Sequence, residues 1–275
     1  MLRSSMQAAV TMGQLQQKLD LVGNNLANME TPGYKTKNSE FASLLYQQID
    51  NIEEEGDNPN RLTPDGLRMG SGAKLAHTDI DLSQGSIKET GRALDVALQD
   101  EKHLFQIQTT INGQEETRYT RDGSFSFTPV NANEVMMVTS NGNPVLGEDG
   151  PIVFSDTFEQ MTIRKDGSIF LTQNGLQNEV GRLQIVNAER PRLLEAAGQN
   201  VFRIPGEGIG NLNVEDIVSG VAPENINMKQ GALETSNVDM SKQMTDMLMM
   251  QRAYQFNSRS IAMGDQMMGL VNQLR

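Results

Sequence analysis

The side chains best equipped for chemistry are few here and poorly spaced for it. His77 and His103 are the two histidines, and they stand too far apart to be read as a pair of metal ligands. Cysteine is absent, which removes disulfides, thiolate metal sites and cysteine nucleophiles. Gly206-Glu207-Gly208-Ile209-Gly210 has the glycine content of a dinucleotide loop without its G-x-G-x-x-G spacing, and no long amphipathic helix follows it. Carboxylates are plentiful, yet no local pattern builds a pocket around two of them. No catalytic residue, cofactor or metal is expected.

The informative residues are amides. Asn24, Asn25 and Asn28 fall within five positions, with Asn24 and Asn28 one helical turn apart. Asn is a mediocre helix former, so the cluster reads either as a helix fraying toward Pro32 or as amides that fix register where neighbouring chains meet. Gln251, Arg252 and Asn257 would do the same near the other end.

These amides need helices to carry them. Proline is absent before Pro32 and after Pro223, so both ends are free to form long ones. Ala8, Met12, Leu15, Leu19, Val22, Leu26 and Met29 step by four and three, the seam of a coiled coil. Met240, Met244, Met247, Met250, Tyr254, Ile261, Met268 and Val271 form the second seam, interrupted by Asn257 and Gly264. The flanking faces are so polar that packing between chains is expected. Thr31-Pro32-Gly33-Tyr34 stops the first helix in a type II turn, with Gly33 at positive φ. Ser236 or Asn237 is the expected cap of the second, Asp239 the expected acid of its first turn, and Gly231 the expected hinge before it.

The 275 residues carry a net charge of -12. Residues 1 to 35 contribute +1 and residues 240 to 275 contribute +2, which leaves -15 on residues 36 to 239. Such acidity disfavours nucleic acid and anionic lipid as partners. No secretory signal or run of 18 apolar residues is present, so membrane insertion is not expected. In the acidic middle, Asp122-Gly123 and Asp166-Gly167 stand between apolar alternations and predict two hairpins. Further turns at Asn141-Gly142 and Asp149-Gly150 predict many short strands. Glu53 to Asn60 reads as solvated surface on a connector.

The expected fold is α+β, with terminal helices pairing as a coiled-coil-like inner domain and a central β-rich domain of many short strands. Its expected parts are residues 1–35 as assembly helix and turn, 36–92 as extended connector, 93–225 as β-rich outer domain and 226–275 as C-terminal assembly helix.

Asn24-Asn25-Leu26-Ala27-Asn28-Met29-Glu30-Thr31-Pro32-Gly33-Tyr34-Lys35 resembles the N-terminal signature of the bacterial flagellar rod and hook proteins. Leu233-Glu234-Thr235-Ser236-Asn237-Val238-Asp239, continuing through Gln251-Arg252-Ala253-Tyr254 to Asn257, is similar to that family's C-terminal signature. Gln84-Gly85-Ser86-Ile87, Leu94-Asp95-Val96-Ala97 and Arg121-Asp122-Gly123-Ser124-Phe125 resemble its middle section. Phe41 through Gln48 is most similar to the distal-rod branch and its Gram-positive paralogues. Gln99 to Phe105 departs from the family, which usually has a Gly-rich segment ending in paired Phe there.

The resemblance implies a structural subunit of the axial drive shaft, exported by the flagellar type III apparatus and assembled in the basal body outside the cytoplasmic membrane. Its partners would be copies of itself in a helical homo-oligomer and other rod and hook subunits, and that assembly would be carried by Asn24, Asn25, Leu26, Asn28, Thr31, Pro32, Gly33 and Tyr34 at one end and by Leu233, Glu234, Ser236, Asn237, Val238, Asp239, Gln251, Arg252, Tyr254 and Asn257 at the other. The alternatives are a proximal-rod or hook-type subunit and, from a different class, a peptidoglycan hydrolase.

Overall fold

The computed structural model describes residues 2–43, 46–49, 67–70, 73–111, 113–198, 200–205 and 213–273. Helix α1 spans Leu2–Ala27, α2 is one turn at Val214–Ile217, and α3 spans Met240–Gln273. The chain divides into two compact units. One comprises Met1–Asn24, Asn38–Thr78 and Ser241–Arg275; the other comprises Asn25–Lys37 and Asp79–Met240.

In the first unit α1 and α3 are in contact. Ala8, Leu15 and Val22 are buried, one every seventh residue, and Met12 and Leu19 between them are half-buried. On α3 the half-buried residues Met247, Met250, Tyr254, Asn257, Ile261, Gly264 and Met268 step by three and four. The start of this seam differs from expectation. Met240 and Met244 are exposed, and Gln243, at 4% exposure, is the buried residue. Counting back from Met250 in alternating steps of three and four reaches Met247 and then Gln243, so helix geometry outranks the preference for an apolar side chain.

Two strand ladders lie in the stretch expected to be a connector. Lys37–Ser43 pairs with Ala73–Ile80, and Tyr46–Ile49 pairs antiparallel with Leu67–Gly70. The acidic run Glu53 to Asn60 and the loop Gly206 to Gly210 lie outside the described residues.

The second unit is built from short antiparallel strands. Its largest sheet has the order 195–196, 201–203, 114–120, 103–111, 185–188, 218–220. Along the strand His103–Ile111, Phe105 enters one apolar cluster and Leu104 enters a second on the opposite face, as a period of two requires; Ile107 further along is also fully buried. Phe105 meets Phe125 edge to face, with centroids 5.1 Å apart. Val96, Met137, Ile169 and Leu183 complete the same core.

Of the two expected Asp-Gly hairpins, one forms. Strands Gln160–Ile163 and Ser168–Gln173 pair antiparallel around Gly167 at φ 86°. The other is a corner between sheets: Gln114–Thr120 pairs with 103–111 and 201–203, whereas Phe125–Asn131 pairs with Glu134–Thr139. A Cβ on Gly123 would lie 1.8 Å from the Val96 carbonyl oxygen, so glycine is needed there for close backbone approach. Asp122 Oδ1 accepts the Ser124 amide at 2.9 Å and hydroxyl at 2.6 Å, which closes the corner.

Two further expectations change. Gly231 is pinned instead of hinged: its N–H donates to the Asp95 carbonyl at 2.8 Å, and its carbonyl accepts from the Thr90 and Gly91 amides. Helix α3 begins at Met240 with no acid in its first turn; Asp239 immediately precedes it, and Ser236 and Asn237 lie further upstream. Among the described residues no helix is long and apolar enough to cross a membrane.

Candidate assembly site

Helix α1 gives way at Ala27 to a turn in which the Thr31 hydroxyl donates to Asn28 Oδ1 at 3.2 Å. Gly33 takes φ 65°, and its N–H donates to the Glu234 carbonyl at 2.8 Å. The Pro32 carbonyl accepts from Asn200 Nδ2 at 2.9 Å. Beyond the turn Tyr34, Lys35 and Thr36 are buried in succession.

Asn25 organises the exit from the turn. Its Nδ2 donates to the Lys37 carbonyl at 2.9 Å while its Oδ1 accepts the Lys37 N–H at 3.1 Å, so one amide side chain substitutes for a neighbouring strand. The Tyr34 hydroxyl donates to the same Oδ1 at 3.1 Å, and burial pushes that phenol up to about 12. Asn237 does comparable work from the other end of the chain. Its Oδ1 accepts the Thr36 N–H and hydroxyl, each at 2.7 Å, and its Nδ2 donates to the Asp81 and Ser83 carbonyls at 2.9 and 3.0 Å.

At the centre is a buried ionic clasp. Glu234 Oε1 accepts from Lys35 Nζ at 2.7 Å and from the Gly85 N–H at 2.8 Å. Its Oε2 accepts from Arg121 Nε at 2.5 Å. Lys35 also donates to the Leu82 and Ser83 carbonyls, at 3.2 and 2.7 Å. Arg121 donates to the Leu98 carbonyl at 3.1 Å, to Asp100 at 2.5 Å, to Glu101 at 3.4 Å and to the carbonyl of His103. Two buried cations thus share one carboxylate, and backbone carbonyl dipoles balance the excess positive charge. Burial pulls the Lys35 ammonium below the ordinary lysine value, against the opposing pull of Glu234. Gly85 is required beside the clasp, because a Cβ there would lie 2.0 Å from the Thr235 carbonyl oxygen.

The structure therefore brings together Asn25, Gly33, Tyr34, Glu234 and Asn237 from the expected set, with Asn28, Thr31 and Pro32 in the adjoining turn. Leu233 sits opposite Lys88 in a short ladder, and Ser236 Oγ accepts the N–H of half-buried Val238 at 3.3 Å. It does not bring in the rest. Asn24, Asp239, Gln251 and Arg252 are exposed, and Leu26 and Tyr254 are half-buried. Asn257 Nδ2 donates to the Ala253 carbonyl within α3 at 3.0 Å. Sequence reasoning left out Lys35, Thr36 and Arg121 as site residues. The usable signal was two cations and one acid inside three separate signature segments.

The arrangement is architectural. The clasp's charged groups are turned onto one another and onto backbone, and among the described residues no group of three His, Asp or Glu could hold a metal.

Three family models match the chain in order: "Flagella basal body rod protein" over residues 7–35, "Flagellar hook protein FlgE/F/G D1 domain" over 101–171, and "Flagellar basal body rod FlgEFG protein C-terminal" over 229–274. The chain is 42% identical to the flagellar hook-basal body complex protein FlhP of Bacillus subtilis, with 100% of both chains covered. It is 32% identical to the flagellar basal-body rod protein FlgG of Borreliella burgdorferi, covering 100% of this chain and 99% of the relative. Against FlgG of Bacillus subtilis the identity is 30%, with 100% of both covered. Lys35, Arg121 and Glu234 fall one in each of the three matched segments. The chain belongs to the flagellar basal-body rod and hook protein family and is a structural subunit of that apparatus, not an enzyme.

Proposed function

We propose that the chain is a distal-rod subunit that polymerises with copies of itself into a helical segment of the axial drive shaft, carrying motor torque to the hook. The observation that carries this reading is the uncovered apolar face of α3. Leu248, Met249, Phe256, Met263, Met267 and Leu270 are all exposed, Phe256 to 71%, although α3 is already in contact with α1. Fully covering such side chains is worth about 1.5 to 3 kcal/mol each, a strong drive to pack against a second copy. Full-length similarity to the basal-body rod protein FlgG supports the distal rod, and similarity to FlhP is compatible with any position in the hook-basal body complex. Export through the flagellar type III apparatus and contacts with adjoining rod and hook subunits belong to the same proposal.

Basal bodies isolated from a strain carrying an epitope-tagged copy, and from a deletion strain, test it. Label on the rod next to the hook, with shortened hookless rods in the deletion, is the expected result. Label on the hook, or loss of the whole rod, would move the subunit to another position.

A further inference from the structure

Arg121 meets both end segments of the second unit. Its guanidinium holds Glu234, six residues before α3, and gathers the carbonyls of Leu98, Asp100, Glu101 and His103. Its own backbone is the floor beneath Gly33, whose missing Cβ would lie 2.6 Å from the Arg121 carbonyl carbon and oxygen. Glu234 in turn grips Lys35.

We propose that Arg121 is a positioning residue that couples the two chain ends, so that the turn after α1 and the strand before α3 dock on the β unit together or not at all. Losing its fork would leave the 98–103 loop carbonyls without their shared donor and slacken Glu234, the counter-ion of Lys35; both ends are then held less well by one change. The coupling depends on shape more than on charge. Arg121→Met leaves Lys35 and Glu234 as a neutral pair, so no buried charge is orphaned. Arg121→Lys keeps the cation but replaces a planar fork of five donors by a point charge with three, which cannot span Leu98, the 100–103 carbonyls and Glu234 at once. For assembly, the consequence is that α1 and α3 are presented as a set; that step rests on the reading of the chain as a polymerising subunit.

Hydrogen exchange measured by mass spectrometry on the full chain tests the coupling without reference to assembly. In both Arg121→Met and Arg121→Lys, residues 33–37 and 232–237 should lose protection by the same factor, at least about tenfold, while the hairpin 160–173 is unchanged. Loss at one end alone, or rescue by lysine, overturns the proposal. So does uniform loss across the β unit or failure of both variants to fold, since Arg121 would then support the whole unit. Filament formation by the wild-type chain is scored separately: its absence would overturn the polymerising reading and leave the exchange result standing.

Discussion

Gly33 lies against Arg121 so closely that a Cβ would fall 2.6 Å from both the carbonyl carbon and the carbonyl oxygen of that residue. Gly33 also has φ 65°. Gly91 shares a positive φ, 72°, but has open space around it, which makes it a matched control. Gly91→Ala should cost about 1 kcal/mol from backbone strain alone. Gly33→Ala adds overlap with rigid backbone and should cost about 2 to 5 kcal/mol. Denaturant melts of both variants measure the difference, and equal losses would mean that the close approach relaxes freely.

Asn25 holds both backbone groups of Lys37 and the hydroxyl of Tyr34 within one chain. Asn25→Ala should therefore destabilise the isolated subunit by about 2 to 4 kcal/mol, since buried partners lose their bonds. Gln251→Ala, at an exposed helix position, should stay within about 0.5 kcal/mol. A normal melting temperature for Asn25→Ala would return this amide to a role between chains.

Acid sensitivity should trace to His103. Burial holds its imidazole below the ordinary 6.5, and its Nδ1 lies 3.4 Å from Asp100 Oδ2 without a hydrogen bond. The unfolded chain takes up that proton more readily, so the contribution to stability is complete above 6.5 and is lost as pH falls toward the depressed folded value. Buried Asp122, raised above 3.8, acts oppositely: stability declines as pH rises from 3.8 through its folded value. Thermal melts between pH 7.5 and 5 (a range of about one unit or more either side of 6.5) should show a drop that His103→Asn reduces. An unchanged slope in the variant would place the acid sensitivity elsewhere.

Assembly should respond to α3 without the monomer noticing. Phe256→Ser should leave the subunit's melting temperature unchanged and weaken polymerisation, read by sedimentation. Asn257→Leu should give aggregated or polymorphic filaments, because a polar seam position that helps specify register is gone. Added salt should strengthen assembly, since screening shortens from about 30 Å at 0.01 M to about 8 Å at 0.15 M and the middle segment carries -15. Uniform filaments from Asn257→Leu, or assembly that weakens steadily with salt, would contradict these expectations.

What could be read in the sequence depended on range. The terminal helices were legible because their periodicity is local, and the Gly167 hairpin because both strands flank the turn that joins them. Asp122-Gly123 carries the same dipeptide, yet its flanking strands choose partners from other parts of the chain, a choice no local window contains. Gln243 was missed because its type was weighed above its place in the helical repeat. The clasp was out of reach for a further reason: Arg121 and Glu234 are 113 positions apart, and a single Lys or Arg in a polar stretch looks like surface. Asn25 was picked out by composition, but its partner, twelve residues on, came only with the turn.

The order of residues in the clasp has a consequence for timing. Lys35 is made early, Arg121 midway, and Glu234, the sole carboxylate between them, 199 residues after Lys35. Emerging from the ribosome N-terminus first, the chain offers an ammonium and a guanidinium that lack their shared counter-ion until Glu234 is made. The junction between the two chain ends therefore cannot close until Glu234 has been made, whatever the strands between them have already formed.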